Sequence, residues 1–232
     1  MKLDPRDGGP VMFNSIARRY DLLNRVLSMG LDGGWRMRAL ELLQLEPNQV
    51  LLDLCTGTGD FGLEALARHN LRIVGLDVAR EMMRIGHAKA VRHHLDHRFR
   101  FGVGDAENLP LADASVDRAT IGFGIRNVTD RRKALRELVR VLKPGGRVAI
   151  LEFGVPPNEA FRGLYFFYAT HLLPIIGGIL SGNRQAYEYL PDSIRRFPSP
   201  VEFSSLAREA GFRQTTSEPL AFGIVNLYLL ST

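Results

Sequence analysis

The residues best able to do chemistry stand together in Leu51-Leu52-Asp53-Leu54-Cys55-Thr56-Gly57-Thr58-Gly59-Asp60. A short apolar run ends in Asp53, and two glycines spaced by one residue lead into a helix-like pattern from Phe61 to His69. A strand, a turn and a helix in that order make a ligand loop. Glycine permits a sharp turn and close approach, and the helix N-terminus presents N–H groups without partners. Downstream, a second apolar run from Leu71 to Leu76 ends at Asp77. A carboxylate there can accept hydrogen bonds from both hydroxyls of a ribose. The pattern predicts a site for a nucleoside-containing cofactor.

Gly57, Gly59 and Gly62 meet the spacing G-x-G-x-x-G, in which the third glycine packs the helix on the strand. A tight turn without a ligand is the plainer alternative, and the Asp77 partner argues against it. Asp53 and Asp60 surround the loop with negative charge, which repels a pyrophosphate and suits a sulfonium cation. The arrangement D-x-C-x-G-x-G-D resembles motif I of S-adenosylmethionine-dependent methyltransferases. The resemblance implies S-adenosyl-L-methionine as cofactor.

The elements that must position this loop follow from periodicity. Strands are predicted near 49–54, 71–76, 98–103, 116–123 and 147–153, alternating with helices near 60–69, 79–94 and 130–142. Such alternation predicts a mostly parallel sheet covered by helices on both faces. Upstream, Phe13, Ile16, Tyr20, Leu23 and Leu27 recur at helical spacing within 11–30, and a second helix is predicted over 34–44. Lys143-Pro144-Gly145-Gly146 reads as a helix stop and a turn into the fifth strand. A helix near 200–210, stopped by Gly211, and two last strands near 213–218 and 224–231 complete the chain. The expected division of one domain is a helical cap over 1–46, a cofactor half over 47–154, an apolar insertion over 155–197 and a terminal helix with strands over 198–232.

The chain has 232 residues, 45% of them hydrophobic and 24% charged, enough for a sizeable core. A net charge of +5 permits an anionic surface as neighbour without requiring one. The single Cys55 excludes an internal disulfide and fits a reducing cytosol, and residues 1–10 lack the apolar stretch of a secretory signal. The expected location is cytoplasmic, with peripheral contact at the inner face of the cell membrane. Between Arg162 and Arg184 no side chain is charged if His171 is neutral, but Pro174, Gly177, Gly178 and Asn183 interrupt the run. That reads as a lid or interfacial helix rather than a span, with a buried helix on the sheet as the alternative.

Further blocks narrow the family. Tyr20-Asp21-Leu22-Leu23-Asn24, followed by Ser28 and Trp35, resembles the first signature of the menaquinone/ubiquinone C-methyltransferases. Gly122-Phe123-Gly124-Ile125-Arg126-Asn127-Val128, the stretch from Arg140 to Gly146 running on to Leu151-Glu152-Phe153, and the block from Tyr187 to Ile194 resemble its other hallmarks. Leu23, Asp32, Thr56-Gly57 and Gly122 depart from that pattern, and Gly122 lacks a hydroxyl common there. The resemblance implies a Rossmann-like class I fold with a seven-stranded sheet and a terminal β-hairpin. It implies methyl transfer to a ring carbon of a polyprenylated quinol, either demethylmenaquinol or the methoxy-benzoquinol precursor of ubiquinol. A homodimer is a further implication.

A ring carbon becomes nucleophilic when the neighbouring hydroxyl, with a pKa near 10, loses its proton. On the family blocks and its place at a strand end, Arg126 is expected to orient Asp60 and stabilise oxyanion charge. Asp60 is the expected proton acceptor, directly or through water, and Tyr20 a third partner. The plainer alternatives are Asp60 as a helix cap, Arg126 as a surface partner of Asp130, and Tyr20 as helix core. For the cofactor, Asp77 and the adjacent Val78 are assigned to the ribose end, and Thr58 with the backbone of Gly57 and Gly59 to the methionine end, where Asp53 can attract the ammonium. The resemblance assigns Asp105 and Ala106 to the adenine edge and adds Gly122 to the contacts; Asp105 as a plain turn former is the alternative. His93, His94 and His97 lie among Arg84, Lys89, Arg92, Arg98 and Arg100, which favours a solvated basic face over a metal site. An unrelated small-molecule or RNA methyltransferase that shares only the cofactor half is a further alternative, permitted by the basic charge; against RNA, no Asn/Asp-Pro-Pro-Tyr/Phe site and no basic–aromatic nucleic-acid motif occurs. A non-catalytic lipid-binding protein of this fold would have no use for the glycine loop, Asp77, Asp105 and Arg126.

Overall fold

The computed structural model describes residues 14, 15, 17, 21, 22, 24, 25, 28, 30–172 and 184–232. Tyr20 and residues 173–183 of the apolar insertion therefore lie outside the described residues. The described residues from 14 to 25 are helical, and α1 (Asp32–Leu43) follows. Then come β1 (Val50–Leu54), α2 (Asp60–Arg68), β2 (Arg72–Asp77), α3 (Arg80–Arg92), β3 (Phe99–Val103) and β4 (Val116–Gly122). A short 3-10 turn at Ile125–Asn127 leads to α4 (Arg131–Val141) and β5 (Leu142–Phe153). The chain ends with α5 (Glu159–Phe167), a π turn (Tyr168–Leu172), α6 (Arg184–Arg196), α7 (Pro200–Ala210), β6 (Gln214–Leu220) and β7 (Val225–Ser231).

The seven strands form one sheet in the order β3-β2-β1-β4-β5-β7-β6. The first five are parallel, and β7 runs antiparallel between β5 and β6, so the expected terminal hairpin closes one edge. Successive residues of β1 feed opposite faces, as a parallel strand covered on both sides requires. Leu52 and Leu54 pack with Leu135 and Leu138 of α4 and Phe203 of α7. Leu51 packs on the other side with Leu40 and Leu43 of α1 and Phe61 and Leu66 of α2.

Local chemistry sets the helix ends. Asp130 caps α4 by accepting the Lys133 N–H at 3.0 Å, and Ser199 and Glu202 form a capping box on α7 with Pro200 in its first turn. One predicted boundary moves. β5 begins at Leu142, because Leu142 pairs with Val116 before the register shifts. The Lys143–Gly146 turn, with Gly145 at φ +76°, is thus an irregularity inside the strand rather than a loop before it. Among the described residues 155–197 contain helices and turns but no strand, as expected. No helix among the described residues is long and apolar enough to cross a membrane.

Candidate active site

β1 and β4 are neighbours, with Leu54 opposite Ile121, so the loops that leave their C-terminal ends meet. This is where an open α/β sheet binds ligands. A cleft opens there, lined by Asp53, Cys55, Gly57, Thr58, Asp60, Phe61, Gly122 and Phe123 among others. Three residues of its walls are left-handed, Cys55 at φ 55°, Gly57 at 53° and Phe123 at 57°, and so is Gly59 in the same loop at 78°. For Cys55 and Phe123 that conformation costs roughly 1–2 kcal/mol each. Backbone strain of this kind persists where the surrounding structure enforces it.

Asp53 is buried, at 1% exposure. Its Oδ2 accepts from the Thr56 hydroxyl at 2.6 Å and the Gly62 N–H at 3.3 Å, and its Oδ1 accepts from the Thr120 hydroxyl at 2.8 Å. Burial pushes the carboxyl up to about 6, against the pull of those three donors. Asp53 thus ties the loop, α2 and β4 together while remaining on the cleft wall.

Asp77 stands at the end of β2. Its Oδ2 accepts the Gly57 N–H and its Oδ1 the Ala79 N–H, both at 2.8 Å. Burial raises its pKa, and the backbone donors offset part of that shift. Val78 beside it is exposed. Across the β2–β3 edge the Gly104 N–H reaches the Asp77 carbonyl at 3.1 Å, which brings Asp105 and Ala106 to the same rim. Asp105 accepts the Glu107 N–H at 2.9 Å, an Asx turn, and Ala106 is buried. The assigned residues therefore line one continuous edge from β3 to β4.

The charged residues expected to work together are met by different partners. Asp60, the first residue of α2, receives Lys89 Nζ from α3 at 2.5 Å. The same ammonium is 2.5 Å from Asp21 Oδ2, and Asp21 Oδ1 accepts the Thr58 hydroxyl at 2.6 Å. The Thr58 hydroxyl is thus spent on the N-terminal segment. Asp60 makes no side-chain cap; the cap position is Gly59. Arg126 is not a surface partner of Asp130. It is buried, and its Nη1 donates to Glu152 Oε1 at 2.9 Å and also to the Phe123 carbonyl, while Nε donates to Ser193 at 3.3 Å. The expected orientation of Asp60 by Arg126 gives way to two separate pairs, Asp60 with Lys89 and Arg126 with Glu152.

Four contributors escaped the sequence reading: Asp21, Asn24, Arg36 and Lys89. Asp21 and Asn24 reach the site from the helical cap, and Arg36 lines the cleft while donating to Glu64 at 2.9 Å and Asp32 at 2.8 Å. Despite burial, the Arg36 guanidinium is held above its usual range by Glu64, Asp32 and Asp60. Asp21 and Asn24 belonged to the Tyr20–Asn24 block, whose polar members were a usable signal; Lys89 and Arg36 had none beyond helical placement. Among the described residues no group of three or more His, Cys, Asp or Glu side chains could hold a metal ion.

The residues present fit a cationic nucleoside cofactor: a glycine turn for close approach, a buried carboxylate for a ribose, and Asp53 and Asp60 where positive charge would lie. Comparison with known proteins agrees. A "Ubiquinone/menaquinone biosynthesis C-methyltransferase UbiE" of Geotalea daltonii is 46% identical over 94% of this chain and 93% of its own. A "Demethylmenaquinone methyltransferase" of Deinococcus radiodurans is 45% identical over 97% of this chain and 94% of its own. In fold, the chain resembles a putative methyltransferase solved with the Haloferax volcanii Trm112 activator, with a TM-score of 0.69 at 19% identity over 94% of this chain and 96% of that one. A phosphoethanolamine N-methyltransferase of Haemonchus contortus, solved with S-adenosyl-L-methionine, has a TM-score of 0.64 at 16% identity over 86% of this chain and 52% of that one. The sequence model of the ubiE/COQ5 methyltransferase family matches residues 9–230, and the chain belongs to that family.

Proposed function

We propose that this protein methylates a ring carbon of a polyprenylated quinol, converting demethylmenaquinol to menaquinol with S-adenosylmethionine as methyl donor. The observation that carries the reading is the cleft itself, where Asp53, Asp60 and the Asp77-anchored glycine turn converge beside the aromatic Phe61 and Phe123. Names of relatives from both quinone pathways support the substrate class.

Bound there, S-adenosylmethionine supplies an electrophilic methyl group on a sulfonium centre. Asp77 would hold the ribose with lone pairs left over after its two backbone N–H bonds, and Asp105 and Ala106 would flank the adenine. Asp53 would attract the methionine ammonium. The cleft carboxylates favour binding of the sulfonium cation and lose that advantage once the methyl has left, which favours release of the neutral thioether product; the rate of transfer rests instead on proton removal from the quinol.

The quinol hydroxyl must give up a proton near neutral pH. Asp60 is the acceptor we assign, directly or through water, since its carboxylate is on the cleft wall and Lys89 fixes its orientation. Tyr20 remains a proposed third partner. Arg126 acts through Phe123, whose carbonyl it holds, with its charge matched by Glu152. Peripheral contact of residues 160–183 with lipid would bring the prenyl tail to the site. Leu164 and Phe167 on α5, 65% and 56% exposed, support it.

The deciding experiment is methyl transfer from labelled S-adenosylmethionine to chemically reduced demethylmenaquinol, run beside the methoxy-benzoquinol precursor. Label in the naphthoquinol alone is the expected result, and label in both would make the protein a shared enzyme. Label in neither, with the cofactor bound, would overturn the quinol assignment.

A further inference from the structure

Phe123 is an odd residue to find in a left-handed conformation, since glycine or asparagine serves such a position at less cost. Several contacts hold it there. Its N–H donates to the Leu151 carbonyl at 2.8 Å, and its own carbonyl receives Arg126. The next residue, Gly124, has no side chain, and a Cβ there would overlap the Cβ of Cys55. The backbone is thus pinned from β5, from Arg126 and from the β1 loop, with the effect of fixing where the ring points.

The ring is the middle member of a row. Trp35 of α1 lies on one side, with ring centroids 6.2 Å apart and planes at 60°, and Phe153 on the other at 4.7 Å and 34°. The Arg126 guanidinium lies 5.5 Å from the Phe153 centroid. Of the three rings, Phe123 is the one on the cleft wall, facing the same space as Asp60 and the glycine loop. Strain maintained so that a bulky apolar ring stands among carboxylates calls for an occupant that rewards the ring.

We infer that Phe123 is the platform on which the substrate's aromatic nucleus is held, making it a specificity-determining residue for the reaction proposed above, on which this inference rests. A planar neutral ring gains offset or edge contacts with the Phe123 ring. Its hydroxyl can turn toward Asp60, while an anionic or aliphatic substrate gains from only one of the two.

Trp35 is the only tryptophan of the chain and neighbours Phe123, so its fluorescence reports on the platform. The probe is a tail-less 1,4-naphthoquinone substituted at both carbons 2 and 3, which cannot add to Cys55, titrated into the full-length protein saturated with S-adenosylhomocysteine. Saturable quenching is expected for the native protein and for Phe123→Tyr. Phe123→Leu and Phe123→Met should raise the quinone dissociation constant about tenfold. Their S-adenosylhomocysteine affinity should stay within about threefold of native, which also shows that they fold. Quenching that saturates equally well in Phe123→Leu and Phe123→Met overturns the inference and leaves the quinol assignment standing. Absence of saturable quenching in the native protein overturns both.

Discussion

Glu152, at the end of β5 and without solvent exposure, accepts two bonds from Arg126: the backbone N–H at 3.0 Å and guanidinium Nη1 at 2.9 Å. It also accepts the N–H of Phe153 at 2.9 Å. One carboxylate therefore sets the corner where β4 and β5 end, with Phe123 on the cleft wall and Phe153 packed against it. Breaking a buried pair by removing one partner leaves an uncompensated charge.

Arg126→Ala should accordingly lower unfolding free energy by about 3 kcal/mol or more, read from urea denaturation. Arg126→Met combined with Glu152→Leu should recover most of that loss, since an apolar pair of similar volume replaces a buried ion pair at little cost. Activity should not return with it, because nothing then holds the Phe123 carbonyl. A double variant that regains both would reduce Arg126 to a stabilising residue.

Asp60→Asn keeps the shape of the site and removes the proposed proton acceptor. Its turnover should fall by about a hundredfold or more. The affinity for S-adenosylhomocysteine, whose sulfur carries no charge, measured by calorimetry, should change by less than about threefold. Turnover at the native rate would take Asp60 out of the chemistry.

Much of this was legible in the sequence. The strand–helix alternation placed the parallel strands and their helices, because each element carries its own apolar period, and the glycine loop with Asp77 announced a nucleoside site. What escaped is what depends on distant residues meeting. Nothing local to Lys89 shows that Asp21 and Asp60 share its ammonium, and nothing local to Arg126 shows that Glu152 will bury it. Strand-end position brought Arg126 to the right rim, but which carboxylate it found there was decided by the β4–β5 register. The start of β5 was missed because Leu142 pairs ahead of the Lys-Pro-Gly-Gly irregularity, where turn residues mask the strand.

Asp53 makes the site sensitive to pH. Its folded-state pKa, raised to about 6, exceeds the usual carboxylate value, so the folded protein holds the proton more tightly than the unfolded chain. Its contribution to stability is full below about pH 4 and is lost as pH rises to about 6, amounting to roughly 1–3 kcal/mol. Cofactor binding should run the other way, because a bound cation prefers the ionised carboxylate. S-Adenosylmethionine affinity should be about tenfold weaker at pH 5 than at pH 7. Asp53→Asn can still accept from Thr56 and Gly62 through its oxygen and donate to Thr120. It should flatten the stability profile between pH 4 and 6 and the steepest part of the binding profile. A native-like pH dependence in this variant would assign the titration to another group.

Gly62 tests the third glycine of the loop. A Cβ there would stand 2.5 Å from Phe99 Cζ and 3.3 Å from Asp53 Oδ2. Phe99 is buried and stacks on Phe101 at 4.0 Å, so its ring has little room to yield. Gly62→Ala would favour helix by about 1 kcal/mol from propensity alone. Overpacking against Phe99 should outweigh that gain, for a net loss of about 1–2 kcal/mol in thermal or urea unfolding. The same shift of α2 would pull the Gly62 N–H away from Asp53, weakening S-adenosylmethionine binding as well. Gly62→Ala combined with Phe99→Leu clears the overlap and should restore cofactor affinity, although the smaller side chain leaves the core less filled. If the single variant is as stable as the native protein, close packing of α2 on the β3 aromatics is not what requires glycine here.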